Sequence, residues 1–384
     1  MAIGFSTIGA AVGMMTARSA SGSFIVGGID ILLGAASDSV LSFSYVDNTN
    51  DQAHGIAIQI ADPSRTWMQQ YLPKKGVETT ASIKVTNWLH PGDSRTIDCG
   101  IFWIDQIDCS GPPNVVNVMG TSIPVKTGIK NTKQFDSWED VDLLTIAEEI
   151  AEENGMVVVW EAKKIPEKQE RVDQSETPDL EFLRSKCKEQ SLSLQVYKKQ
   201  LVIYSEEEYE ARPAVYILMY GASNIIAYSL SSKLEDTYAS AENSFYDPDD
   251  GELIETEFEP EEPPEGTEAV LKENEVEMPP KSNITIVPSP GPNLRAEDQT
   301  LINFDAEVAA EDSKIKSKLR EKNKHEKTAT FTLFGNPDYR SGLNVDLVGF
   351  GIYDGKWFIE STVHDITESG YVTQLAMHCC LKGY

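Results

Sequence analysis

The chain has 384 residues, room for two or three domains, and its 40% hydrophobic content supports packed cores rather than a disordered chain. Its 61 acidic residues outnumber 33 basic ones and leave a formal net charge of -28, which argues against nucleic-acid recognition, since that needs a basic footprint. Five cysteines, at 99, 109, 187, 379 and 380, form an odd set with no metal-ligand spacing, as expected of reduced thiols rather than a disulfide framework.

Residues 1–22 are apolar and rich in small side chains. They lack a basic segment ahead of the apolar stretch, which is also too short to span a bilayer. A flexible leader is expected here, and no segment predicts membrane insertion. From 23 to 126 the pattern is mainly β. Residues 41–45 and 56–60 alternate apolar with polar, 81–85 and 99–107 continue in kind, and turn clusters at 47–50, 90–93 and 110–113 separate them. Short strands at such spacing suggest a barrel or sandwich.

The character changes at Ser137. Ser137-Trp-Glu-Asp140 has the outline of a helix capping box, and Val141, Leu144, Ala147 and Ala151 follow at helical spacing up to an Asn154-Gly155 stop. A strand is predicted over 156–160. A second helix is predicted to open at Thr177-Pro178, with Leu180, Leu183 and Cys187 on its inner face. A hairpin over 192–204 is expected to turn at Lys198-Lys199. This α/β unit spans 127–209.

A second β region occupies 210–246 and resumes over 325–384. Between them, 247–277 holds fourteen acids, one base and four prolines, and a Pro-rich piece extends the biased composition to 297. Like charges and prolines oppose a packed core, so an extended or disordered insertion is predicted, either a solvated tether or a docking strip for a basic partner; charge runs favour the tether. A helix is expected within 298–324, with Val308, Ile315 and Leu319 on one side and lysines toward its C-terminal end, where the helix dipole favours them. The closing meander places Trp357, Ile359, Ser361 and Val363 on one face, and Tyr371, Thr373, Leu375 and Met377 on one face of the last strand. Asp354-Gly355 predicts a tight type I′ turn.

No constellation of catalytic residues emerges. Phosphate-binding glycine patterns, HExxH and GxSxG are all absent from the sequence. His54, His90, His325, His364 and His378 are scattered; His364 and His378 fall on neighbouring predicted strands, but without a third ligand they make a weak metal site. Asp247-Pro-Asp249-Asp250-Gly251 fails the calcium-loop spacing, because Glu252 stands where the glycine belongs. No catalytic, cofactor-binding or metal-binding residue is therefore assigned, and no cofactor.

Three stretches together resemble the late control protein D family of tailed phages, the baseplate hub proteins of contractile tails and phage-tail-like particles. The first is 41–47 with 98–105 and 110–113. The second is Ser137-Trp138 with its helix, Val172-Asp173-Gln174 and 179–183. The third is Gly335-Asn-Pro337, Gly349-Phe-Gly351, 354–359, His364 and Gly370-Tyr371. The leader and the acidic insertion have no counterpart in the family pattern, and an appended hydrolase domain is not expected. The resemblance implies a structural, non-enzymatic homotrimer with a mainly β fold: two small β-barrel domains, 23–126 and 210–246 with 325–384, plus the α/β domain. Six barrels from three chains would match a hexameric tail tube protein above and a trimeric central spike protein below, among other baseplate components. The expected location is the tail or baseplate of an extracellular particle assembled in the bacterial cytoplasm. A tail-associated peptidoglycan hydrolase and the spike base of a secretion system are the alternatives.

Overall fold

Thirteen strands share one hydrogen-bonded sheet, and one long strand near its middle determines how the rest is arranged. In the computed structural model, residues 17–32, 39–49, 52–88, 90–233, 237–247, 252–258, 260, 270–271, 283–285, 301–303 and 312–383 are described. The leader 1–16, Val308 and much of the acidic insertion lie outside them. In chain order the first unit contains β1 (Ser19–Val26), β2 (Ile29–Asp30), β3 (Val40–Asn48), β4 (Gly55–Ala61), β5 (Glu78–Thr86), β6 (Ser94–Ser110) and β7 (Val115–Thr121). The α/β unit contains β8 (Lys133–Val141), α1 (Leu143–Glu153), β9 (Val157–Trp160), β10 (Gln169–Pro178), α2 (Asp179–Glu189), β11 (Ser193–Tyr197) and β12 (Gln200–Tyr204), and α3 (Glu206–Ala211) follows it. Then come β13 (Tyr216–Met219), β14 (Ile225–Ser232), β15 (Ser240–Asp247), β16 (Glu252–Phe258), β17 (Val270–Leu271), β18 (Asn283–Thr285), β19 (Leu301–Asn303), α4 (Asp312–Asn323), β20 (Lys327–Phe334), β21 (Asn344–Val348), β22 (Gly355–Thr367) and β23 (Gly370–Cys379).

The sheet runs β14-β20-β23-β22-β3-β4-β7-β6-β5-β1-β2, with β21 on β22 and β13 on β21. Strand β22 serves both β units. Its first residues pair with β21 (Asn344↔Phe358), its last with β3 (Ser361↔Asn48 through Thr367↔Ser42), and β23 runs along its other edge. The register slips between Ile359 and Ser361, so Glu360 is a bulge. A bulge inserts one unpaired residue and reverses which side chains face inward. Trp357 and Ile359 are therefore buried before it, Thr362 and His364 after it, and the predicted single face from Trp357 to Val363 is broken.

Each unit has its own apolar cluster. Phe24, Phe43, Ile58, Ile83, Phe102, Val116 and Val118 form the first, reached by Tyr371 from the last strand. Leu218, Phe331, Leu333, Leu347, Trp357, Ile359, Leu375 and Met377 form another. The alternation expected for 56–60 and 371–377 is the alternation found, since one face of each strand meets a core. In the α/β unit, Leu143, Ile146, Ile150, Leu180, Leu183 and Cys187 pack onto Leu194, Val196, Leu201 and Ile203.

Several local readings change. Ser137 lies in β8, paired with Asp173 of β10, and Asp142 caps α1 by accepting from the Thr145 amide at 2.8 Å. Pro178 is the residue before α2 rather than its first. Lys198 and Lys199, with φ of 49° and 62°, supply the left-handed pair of a two-residue hairpin, whereas Asp354 is extended at φ -65° and follows a short 3-10 turn, so the tight turn predicted at Asp354-Gly355 does not form. Residues 19–22 of the expected leader are strand, paired with β5. The start of the acidic insertion is strand as well: β16 pairs antiparallel with β15, Asp247 opposite Glu252. The helix expected within 298–324 is described over Asp312–Asn323, with Leu319 buried.

Gly335 sits where a Cβ would overlap the Tyr371 ring, and its carbonyl accepts from the Trp88 indole at 2.7 Å. Gly335→Ala is expected to cost about 1–3 kcal/mol, because the ring must leave its packed position. A denaturation midpoint unchanged from the parent would contradict this.

Candidate functional site

Two kinds of feature stand out once the strands are placed: unpaired sheet edges that carry apolar side chains, and a buried ionic centre where the C-terminal strand meets α3 and α4. Among the described residues β14 ends the sheet, paired only with β20, and β13 ends the branch that leaves β22, paired only with β21. Alternation along β13 turns Leu218 into the core and leaves Ile217 and Met219 outside, 63% and 56% exposed. Val215, Tyr220, Ile226, Tyr228, Val348 and Ile352 are exposed as well. Tyr220, Tyr228 and Phe350 contact one another edge to face, which fixes their orientation. At the other end, β1 and β2 expose Ile25 and Ile29. Apolar groups grouped beside unpaired backbone mark an interaction surface rather than ordinary surface scatter.

The ionic centre surrounds His378. Its Nε2 lies 2.7 Å from a Glu210 carboxylate oxygen and its Nδ1 2.8 Å from Glu360. Arg320 donates to Glu210 and lies 3.8 Å from Glu206; Lys324 reaches Glu206 at 3.4 Å and Glu321 at 2.8 Å. His325 Nδ1 is 3.7 Å from Glu360. Burial alone would make His378 less basic, but the hydrogen bonds and charges of Glu210 and Glu360 outweigh it and raise its pKa to about 9. The same contacts lower Glu210 and Glu360 below the ordinary carboxylate value against the opposing effect of burial.

A second polar junction ties the three units together. Asp47 at the end of β3 lies 2.9 Å from His54 Nδ1 and accepts from the Ser341 amide, and Gln195 of β11 lies 2.8 Å from His54 Nε2. Glu360 links the two centres: its carbonyl accepts from the Thr49 amide at 2.8 Å while its carboxylate faces His378.

His364 does not join His378, although β22 and β23 are neighbours; it pairs with Thr373, whereas His378 pairs with Phe358. Its Nε2 faces the Tyr339 carbonyl at 3.1 Å, an acceptor only, so that nitrogen carries the proton and Nδ1 accepts from the Tyr371 hydroxyl at 2.8 Å. Burial holds the ring neutral, with its pKa lowered to about 4. The unfolded chain takes up a proton near pH 6.5 that the folded chain refuses until about pH 4. Stability present above pH 6.5 is therefore lost as the pH falls toward 4, by about 3 kcal/mol. His325, also lowered, adds in the same direction, whereas the raised His378 acts on the alkaline side. His364→Gln is expected to flatten the acid slope of melting temperature between pH 6.5 and 5; an unaltered slope would refute the assignment.

All five cysteines stand outside any disulfide, and burial raises the thiol of Cys379 to about 11. One hollow, lined by Val141, Leu143, Pro166, Val172 and Gln190, holds about one water, too little for a sugar or peptide. Among the described residues, two groups bring three possible metal ligands within reach of one another: His325, Glu360 and His378, and Glu206, Glu210 and His378. The sequence contains no sign of either, because the members lie up to 172 positions apart. No helix among the described residues is long and apolar enough to cross a membrane.

The arrangement of two β units on one sheet, with an α/β unit between them, is a fold found in phage tail proteins. It is shared with the prophage MuSo2 43 kDa tail protein from Shewanella oneidensis, at a TM-score of 0.61 and 11% identity over 93% of this chain and 97% of that one. It is shared equally with a tail protein from Neisseria meningitidis MC58, at 0.60 and 11% over 94% and 96%. A type VI secretion component of Escherichia coli, described as structurally similar to T4 bacteriophage tail proteins, matches at 0.51 and 10% over 94% and 78%. In sequence, 149 residues are 28% identical to the probable baseplate hub protein of Escherichia phage 186, a match that covers 38% of this chain and 35% of that protein. No family model matches the chain.

Proposed function

We propose that the chain is a non-enzymatic baseplate hub that assembles as a homotrimer and joins a hexameric tail tube to a trimeric central spike, in a contractile phage tail or a phage-tail-like particle. The observation that carries this reading is the single sheet whose apolar-lined edges are unpaired among the described residues, β13 and β14 on the second β unit and β1–β2 on the first. Two different ends of one molecule meet head to tail, and a head-to-tail contact generates a ring when the rotation closes. The likeness to the phage 186 hub protein and to the two tail proteins supports it.

On this reading 23–126 and 210–246 with 325–384 act as the two barrel domains, and three copies present six of them around the axis. The α/β unit 127–209 sits outside the ring, and the acidic segment 247–297 acts as a solvated tether. The protein reaches its place in the tail during assembly in the bacterial cytoplasm. Image reconstruction of particles that contain the chain should place three copies at the distal end of the tube. One copy, or a position along the sheath, would overturn the proposal, and clear lysis by the purified protein in a peptidoglycan zymogram would favour a hydrolase instead.

A further inference from the structure

We propose that His325, Glu360 and His378 form a binding site for a divalent transition-metal ion of the zinc class, which cross-links the turn after α4 to strands β22 and β23. Three observations carry it. The first is spacing. One ligand atom each from His325, Glu360 and His378 lies within 4.8 Å of the other two. A tetrahedral zinc ion with bonds of ~2.1 Å separates its ligands by about 3.4 Å. The two contacts to Glu360, 2.8 Å from His378 and 3.7 Å from His325, bracket that separation, so shifts of a few tenths of an ångström admit an ion.

The second observation is the outer support. A metal-binding histidine usually donates its remaining N–H to a carboxylate, which fixes the ring and makes the free nitrogen a better ligand. His378 takes that arrangement once the ion displaces the Nδ1 proton it shares with Glu360 at 2.8 Å, because Nε2 goes on donating to Glu210 at 2.7 Å. Glu210 is in turn held by Arg320. Glu360 is presented by the bulge in β22, where an extra residue re-aims the side chain, and its carbonyl is anchored by the Thr49 amide.

The third observation is charge and access. Glu206, Glu210, Glu321 and Glu360 face two permanent side-chain cations, Arg320 and Lys324. The two negative charges left over suit one divalent ion. Lys324 is engaged by Glu206 at 3.4 Å and Glu321 at 2.8 Å, and its charge also reaches Glu360 and His325, so an ion at the site sits beside one cation whose own partners are these two carboxylates. His378 is fully buried and Glu360 is 19% exposed, whereas His325 is 51% exposed. The site is therefore deep on two sides and open on the third, where water completes the coordination and the ion enters.

The test uses the full chain, freed of metal with a chelator, and Zn2+ alone as the probe, with Co2+ as a spectroscopic substitute. One equivalent of Zn2+ should bind saturably and raise the melting temperature, and Co2+ should give the visible absorption of a nitrogen-containing tetrahedral site. His325→Ala, a half-exposed position, should melt like the parent without metal and bind Zn2+ at least about tenfold more weakly. Glu360→Gln provides the second variant. Absence of binding at one equivalent would overturn the proposal. So would equal affinity in parent and His325→Ala, which would move the ion to Glu206, Glu210 and His378 or to the acidic segment. Neither result bears on the trimer.

Discussion

Arg320→Met should lower the unfolding free energy by about 3–5 kcal/mol, the cost of leaving a buried ion pair without one partner. Arg320 is 9% exposed and lies against Glu206 and Glu210, themselves 6% and 5% exposed. Removing the guanidinium leaves Lys324 and His378 to balance carboxylates that have little contact with water. Arg320→Lys should recover only part of the loss, because a point ammonium cannot span two carboxylates as a planar fork does. Adding Glu210→Gln to Arg320→Met should recover part as well, since it removes one stranded charge. Chemical denaturation measures all three variants, and a loss below about 1 kcal/mol for Arg320→Met would mean that the centre is solvated rather than buried.

Ile217→Asp combined with Met219→Asp should abolish self-association and leave the melting temperature unchanged. Both side chains point out of β13 and are more than half exposed, so the single chain loses no packing. In a ring contact each aspartate would be buried without a partner. Like-charge or unpaired burial costs several kcal/mol per interface, which corresponds to affinity reduced by about a hundredfold or more. Sedimentation at micromolar concentration should show single copies of the double variant under conditions in which the parent associates. Association equal to the parent's would remove β13 from the interface. A lowered melting temperature would show instead that these side chains are part of the chain's own core.

What could be read from the sequence depended on how local the responsible physics is. Strands β3, β4 and β23 were legible because one face of each meets a core, and Ile56, Ile58 and Ile60 show that period directly. Helices α1 and α2 were legible from Leu143, Ile146 and Ile150 and from Leu180, Leu183 and Cys187, which pack on one side. Ser137 misled because a hydroxyl followed by acids suits a helix start equally well, and what decides for strand is its pairing with Asp173, 36 residues away. The β22 phase error has one cause, the bulge at Glu360, which no local pattern signals. Lys198-Lys199 forms the tight turn without a glycine, because the register of β11 on β12 requires it there.

The candidate site was illegible for the same reason. His378 draws Glu210 from 168 residues away and His325 from across a strand pairing, with no spacing to betray the set. His364, which the sequence offered as its companion, faces Tyr339 and Tyr371 on the far side of the bulge. The edge residues were visible as apolar side chains, but only the sheet order shows that Ile217 and Met219 lie on one edge strand, β13, and Ile226 on another, β14.

If the chain closes a ring through its sheet edges, the mass of the purified full chain in native conditions shows it most directly. Three times the chain mass of 42.5 kDa is the predicted result. A single-copy mass that persists as concentration rises, and in particles that contain the chain, would contradict it.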